Sequence, residues 1–135
     1  VRVRPMSVAA LTGISPAIIA DLRQGRPRTV ELTSAHNVIT LTGVKAGDHV
    51  FMTSLDCADL GPGDSGIMVE VNSVAISMKR IIEFTNPMYF EERERMAARM
   101  QVKYCGTSIV KGIESRGMGR PVLIDVVKTT CYHAH

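Results

Sequence analysis

The fold of this chain is constrained most by segments in which apolar and polar residues alternate. In "RTVELTS", Val30 and Leu32 fall on one face of a strand, while Thr29 and Glu31 fall on the other. "NVITLTGV" alternates in the same way, and "MSVAALTG" and "HVFMTSL" are short apolar runs typical of buried strands. The chain is therefore predicted to be rich in β-structure.

Two segments carry the start signals of helices. Ser15 can cap the first helix, Pro16 fits its first turn, and Gly25 follows its end. The second segment, "TNPMYFEERERMAARMQ", has a proline near its start, early glutamates and late arginines, as the helix dipole prefers. We expect an early short helix and a second, charged helix whose inner face contains Tyr89, Met96 and Met100.

The remaining segments rich in Gly, Pro and Asp predict turns, and the apolar segments between them predict strands. "KAGD" is a turn, "DCADLGPGDSG" is a loop, and "IMVEVNSVAISMKRIIEF" is predicted to form a hairpin about Asn72 and Ser73. "VKYCGTSIVKGI" and "RPVLIDVVKTTCYHAH" are two closing strands. Two helices are too few to cover the crossovers of a parallel sheet. The predicted fold is one α+β domain over residues 1–135, a small mixed barrel or sandwich.

Charge is unevenly distributed along the chain. The net charge of +3 divides into +4 over residues 1–45, −5 over residues 46–75 and +4 over residues 76–135. A domain that binds nucleic acid strongly usually has a larger excess. The two basic ends could nevertheless fold together into one basic face.

The sequence also indicates the compartment. No window approaches the length of about 20 apolar residues that a spanning helix needs, and the N-terminal apolar stretch lacks a cleavage pattern. Three widely spaced cysteines without a CxxC pair fit reduced thiols. We therefore expect a cytoplasmic protein with no membrane partner.

The order of these features resembles the PUA-like superfamily, and within it the ASCH domains. A strand, a short helix, Gly25, a basic residue, "TVEL" and a "GD" turn before "HVFMTS" follow one another as in those domains. About the first 85 residues also resemble an archaeal family known only as a domain of unknown function, through "LTGISP", "ELTSAHN" and "ISMKRI". The resemblance implies a PUA-like, mostly antiparallel pseudo-barrel with a cleft beside the first helix.

The resemblance also implies a function. Such domains generally bind RNA or modified nucleosides, and a few ASCH members are small amidohydrolases acting on acylated cytidine. Their G-x-K-x-x-E-x-R motif corresponds here to Gly25, Arg28 and Glu31, with Thr29 between them and Thr33 in place of the final Arg. Because an arginine side chain stays protonated and cannot act as a base, the resemblance favours binding over catalysis.

Six residues are candidate ligand contacts: Arg28, Thr29, Glu31, His36, Lys79 and Arg80. The Arg28 guanidinium suits a phosphate or a base edge, and the Glu31 carboxylate could accept from an exocyclic amine. One of the two basic residues in "SMKRI" could contact a phosphate. The alternatives are a surface ion pair of Arg28 with Glu31, a local turn contact for His36, and solvated edge charges for the "SMKRI" pair.

Two further motifs resemble sites that carry chemistry. "LGPGDSG" lacks the lysine of a phosphate-binding loop and the partners of a nucleophilic serine, so we interpret it as a connector. Cys131, His133 and His135 would share one face of a strand and could hold zinc, but chain ends fray and a fourth ligand is not evident. We predict no metal and no cofactor.

Three functions therefore stay open. The first is a non-catalytic protein that binds RNA or a nucleotide, and the second is an amidohydrolase in which Glu31 activates water and Thr29 orients it. The third is an assembly protein that forms a homodimer through the Met-rich second helix.

Overall fold

A computed structural model describes residues 6–86, 89–117 and 119–131 of the chain. These residues form six strands and two short helices. In chain order they are β1 (Met6–Leu11), α1 (Pro16–Arg23), β2 (Arg28–Leu32), α2 (Ala35–Leu41), β3 (His49–Met52), β4 (Ser65–Asn86), β5 (Tyr89–Ser115) and β6 (Leu123–Cys131). The prediction of an α+β chain dominated by strands is confirmed.

All six strands belong to one mixed sheet with the order β2-β5-β4-β3-β1-β6. β1 and β3 pair in parallel, the other neighbours pair antiparallel, and β6 also pairs with β5. The pairing thus returns on itself through β6 and leaves β2 outside the ring. Irregular register along β4, β5 and β6 means that the sheet is not a regular barrel.

The first third of the chain follows the sequence prediction closely. Pro16 begins α1, Ser15 holds the N-cap position, and Leu22 is fully buried. In β2, Val30 and Leu32 are buried. The early helix and the alternating strand that follows it are therefore both confirmed.

The strand predicted for "NVITLTGV" is wrong, because most of this segment forms α2. The residues that α2 buries, Asn37, Val38, Thr40 and Leu41, follow helical spacing rather than alternation. β-branched residues favour strands only weakly, so packing against β1 decides the outcome.

The second, charged helix is also wrong, because its segment lies in β5. Ala98, Met100 and Val102 are buried, whereas Arg99 and Gln101 between them are exposed. This alternation suits a strand that lies between β2 and β4. Of the predicted inner face, Met100 is buried and Met96 is exposed, while the side chain of Tyr89 lies outside the described residues.

The predicted hairpin about Asn72 and Ser73 is a bulge inside β4 rather than a turn. The register with β5 shifts between Val71 and Ser73, and Asn72 is exposed at the shift. β4 continues to Asn86, and β5 begins at Tyr89. The two strands therefore form a hairpin much longer than the sequence indicates.

Two clusters of buried side chains form the core. One lies between the helices and the sheet and includes Leu22, Leu41 and Met100. The other lies around Phe51 and Ile124. Cys57 is half-buried and carries a free thiol. Within the described residues no helix has both the length and the apolar character needed to cross a membrane.

Candidate functional site

A polar surface covers the outer side of β2, β5 and β4, opposite the helix-facing core. Thr29 and Glu31 of β2 are exposed there, with Gln101 and Arg99 as their partners in register on β5. The Arg99 guanidinium lies 3.4 Å from the Glu31 carboxylate. We call the surface formed by these three strands the outer sheet face.

A basic row runs along β5 on this face. Arg95 and Arg99 are exposed and Lys103 is half-buried, and all three belong to the same alternating set of strand positions. At about 3.4 Å per residue the row is about 27 Å long. The partner in register of Arg95 on β4 is Lys79, so the backbone brings one of the predicted basic residues to this row.

A small pocket of about 210 Å³ opens on the outer sheet face. The Glu31–Arg99 pair forms one side of it, and Ala75, Ser77 and Ala97 provide small side chains around the rest. A strand surface usually carries larger residues, so these three leave a shallow depression beside two charged groups.

Arg28 does not join this surface. It occupies the same alternating set of β2 positions as the buried Val30, and its guanidinium pairs with the Asp21 carboxylate of α1 at 2.5 Å. This pair links the helix to the strand that follows it. The alternative ion pair of Arg28 with Glu31 is not formed, since Glu31 pairs with Arg99 instead.

His36 also lies away from the outer sheet face. It is half-buried on α2, where its Nε2 is 2.9 Å from Thr12 Oγ1. Its neighbour Asn37 is buried and bonds the backbone of Thr12. The prediction of a turn residue with local hydrogen bonds is therefore wrong, because His36 lies in a helix and its partner Thr12 is 24 residues away in the sequence.

The structure thus brings together only part of the predicted set. Thr29, Glu31 and the backbone of Lys79 lie on or beside the outer sheet face, whereas Arg28 and His36 bond elsewhere. Arg80 is the partner in register of Glu94 and occupies the alternate position to Lys79, and the side chains of both basic residues lie outside the described set.

Sequence reasoning missed Arg95, Arg99 and Lys103. Their signal was the alternation in "ARMQVK", where Arg99, Gln101 and Lys103 alternate with the apolar residues Ala98, Met100 and Val102. A helix would also place these three residues, spaced i, i+4 and i+8, on one face, but only a strand pairs the segment with β2 and β4 and so sets the basic residues beside Glu31 and Lys79.

A cavity of about 590 Å³ was not anticipated either. It lies between the starts of β1 and β3, the end of α2 and the turn before β6. Two of its polar residues are engaged in structural hydrogen bonds: Ser7 donates to Glu114, and Asp48 accepts from the backbone of Lys45. "KAGD" is therefore a turn held by Asp48, as predicted.

The "LGPGDSG" segment is structural. Asp64 accepts from the Gly61 backbone, and the backbones of Gly63 and Asp64 bond Val110 of β5. This supports the interpretation as a connector. His133 and His135 lie outside the described residues and Cys131 is described by its backbone alone, so the metal question stays at the level of prediction.

Comparison with known proteins identifies the family. Residues 6–124 match the family described as "Protein of unknown function (DUF473)", and the chain belongs to this family. The uncharacterized protein MJ0105 of Methanocaldococcus jannaschii is 34% identical over 101 residues. The match covers 75% of this chain and 62% of that protein. Both findings agree with the predicted resemblance to an archaeal family of unknown function.

Proposed function

We propose that this protein binds RNA, with a single strand lying along the basic row of the outer sheet face. The observation that carries the proposal is the alignment of Arg95, Arg99 and Lys103 on one strand beside a small polar pocket. Basic side chains in a row follow a phosphate backbone, and an open sheet surface admits unpaired nucleotides.

The pocket gives the surface a place for one base. The Glu31 carboxylate can accept from an exocyclic amine, as found on cytosine or adenine, and Arg99 beside it can donate to a base edge or a phosphate. Ala75 and Ala97 leave room for a flat ring against the sheet. We therefore expect a preference for bases that carry an amino group.

The proposal keeps the binding function implied by the PUA-like resemblance but assigns it to a different site, around Arg99 instead of Arg28. Arg28 is replaced by Arg99 as the cationic partner of Glu31. A strand pairing that returns on itself, with a short helix before β2, is compatible with a PUA-like domain. The amidohydrolase alternative receives less support, since Arg28 is held by Asp21 and the pocket at Glu31 is shallow and open.

The test compares two arginines that both pair with a carboxylate. Anisotropy of labelled single-stranded RNA of about ten nucleotides would be measured with the wild type, Arg99→Ala and Arg28→Ala. We expect Arg99→Ala to weaken binding by about tenfold, or about 1.4 kcal/mol, and Arg28→Ala to change it by less than about twofold. Cytidine 5′-phosphate as competitor tests whether a free nucleotide is sufficient.

Two results would contradict the proposal. One is the absence of RNA binding by the wild type at about 50 mM salt, where backbone contacts are strongest. The other is an equal loss in both arginine variants, because this would attribute the binding to net charge rather than to the basic row. Glu31→Gln separates base preference from phosphate attraction, since it should reduce the preference for amino-bearing bases without reducing binding to uridine-rich RNA.

A further inference from the structure

The distal half of the β4–β5 hairpin extends beyond the rest of the sheet. β2 pairs with β5 only as far as the Leu32–Ala98 partners, and β3 pairs with β4 only over residues 67–70. Beyond these points residues 77–86 and 89–97 pair with each other, and we call them the arm. At about 3.4 Å per residue the arm is about 34 Å long.

Apolar side chains are exposed along the arm. Met78, Ile82 and Met96 are 58%, 52% and 48% exposed, and Met78 and Met96 are partners in register. They occupy the same alternating positions as the buried Ala98 and Met100, so the face that packs on the core continues past it into solvent. The sequence adds Phe84, Tyr89 and Phe90 near the tip, half of the six aromatic residues in the chain.

A groove at the base of the arm presents more apolar surface. It has a volume of about 430 Å³ and lies between the first turns of α2 and the Arg95–Met96 segment of β5. Ile39 lines it and is half-buried, whereas the neighbouring Val38 packs into the core. Within the described chain, no strand pairs with residues 89–97 of β5 on the side where β2 ends.

A ribbon of two strands is at most marginally stable in water, and a long unpaired edge beside exposed apolar side chains is a site for further pairing. The charge of the arm indicates what pairs with it. The arm contains four basic residues, Lys79, Arg80, Arg93 and Arg95, and four acidic residues, Glu83, Glu91, Glu92 and Glu94. With no net charge the arm offers little attraction to RNA or to an anionic membrane, whereas interspersed charges of both signs suit an identical antiparallel segment.

We infer that a second copy of this chain covers the arm. The open edges of the two β5 strands run antiparallel about a twofold axis, which places the tip of each arm beside the α2 groove of its partner. A chain of this length has a radius of gyration of about 14 Å, so an arm of about 34 Å reaches across a partner of the same size.

The available area is compatible with this arrangement. One face of a ribbon about 34 Å long and about 10 Å wide covers about 340 Å². Each copy contributes both an arm and a groove, which brings the contact towards the about 800 Å² per partner of a standard interface. The proposed interface shares Arg95 with the proposed RNA site, because Arg95 belongs to the basic row and also lines the groove.

Sedimentation equilibrium without RNA tests this inference on three variants. Ile82→Lys alters the arm, Ile39→Lys alters the groove, and Ile109→Lys changes an exposed apolar residue of β5 outside both. We expect a wild-type dimer, at least about tenfold weaker association in the arm and groove variants, and unchanged association in the Ile109→Lys control. Because Ile82 is exposed, its variant should retain the wild-type circular dichroism spectrum.

Three results would overturn the inference. The wild type could remain monomeric up to about 100 μM, which excludes any useful association. Ile82→Lys could dimerise as tightly as the wild type, which would place the interface elsewhere. Alternatively, Ile109→Lys could dissociate the dimer while both the arm and groove variants leave it intact.

Discussion

The side-chain amide of Asn37 forms hydrogen bonds with both the N–H and the carbonyl group of the Thr12 backbone. Asn37 Oδ1 accepts from the Thr12 N–H at 3.0 Å, and Asn37 Nδ2 donates to the Thr12 carbonyl at 2.8 Å. Both residues are buried. The amide thus acts as a short strand partner at the position where β1 ends, and it fixes α2 against the sheet.

Replacement of Asn37 should therefore be costly. Asn37→Ala leaves two buried backbone groups of Thr12 without partners, and we expect a loss of about 2–4 kcal/mol in the free energy of unfolding. Urea denaturation followed by circular dichroism measures this loss. The matched control is Asn72→Ala at the exposed bulge of β4, for which a change below about 0.5 kcal/mol is expected. Equal effects in the two variants would show that the Thr12 contact contributes little.

Thr40 provides a second link from α2, to the segment before β6. Its buried hydroxyl accepts from the Val122 N–H at 2.9 Å and donates to the His36 carbonyl. Thr40→Val keeps the shape but removes both bonds, so we expect a loss of about 1–3 kcal/mol in unfolding free energy. The exposed Thr42, whose hydroxyl bonds only the Ile39 carbonyl among the contacts described, provides the control variant Thr42→Val. If Thr42→Val lowers the unfolding free energy by as much as Thr40→Val, the loss arises from helix propensity rather than from the two hydrogen bonds of Thr40.

Gly66 allows the close approach of β4 to β3. A Cβ atom built there would lie 2.4 Å from Phe51 Cζ and 2.6 Å from the Met52 carbonyl oxygen. Because Phe51 is fully buried and the carbonyl cannot move without the strand, Gly66→Ala should destabilise the fold by about 3 kcal/mol or more. Gly112→Ala is the control, since nothing lies within 4 Å of its added methyl group. Thermal melting of both variants measures this loss of stability. A Gly66→Ala protein as stable as the wild type would contradict the prediction.

These contacts explain why the sequence predicted some elements and not others. Val30 and Leu32 alternate with exposed residues, and no other period fits the short segment around them, so β2 could be predicted. "NVITLTGV" also alternates, but its conformation depends on the bonds of Asn37 and Thr40 to chain segments 25 and 82 residues away. Local pattern carries no information about such distant partners.

The β4–β5 hairpin could not be predicted for a related reason. Its β5 segment contains strong helix formers, so propensity favoured a helix. Pairing with both β2 and β4 overrides that preference between residues 98 and 102. The candidate site depended on this assignment, because only as a strand does the segment place Arg99 in register with Glu31 and Arg95 in register with Lys79. Glu31 could be predicted as a polar residue on an exposed face, but its partner Arg99 lies 68 residues away.

The contact between Arg28 and Asp21 is expected to contribute little to stability. The two side chains are 39% and 45% exposed, so water screens the pair and its strength is below about 1 kcal/mol. Arg28→Met keeps the apolar stem of the side chain and should lower the unfolding free energy by less than that amount. A loss above about 2 kcal/mol in urea denaturation would instead indicate that the pair anchors α1.

Salt dependence distinguishes phosphate contacts along β5 from other sources of RNA affinity. For a single strand, each neutralised phosphate contributes about −0.7 to the slope of log K against log salt concentration. Arg95→Gln and Lys103→Gln should therefore each make the slope less steep by about 0.7. Lys45→Gln removes an exposed charge at the turn before β3, away from the outer sheet face, and should leave the slope unchanged. If all three variants change the slope equally, the attraction comes from net charge rather than from the row, because a general field does not depend on which lysine or arginine is removed.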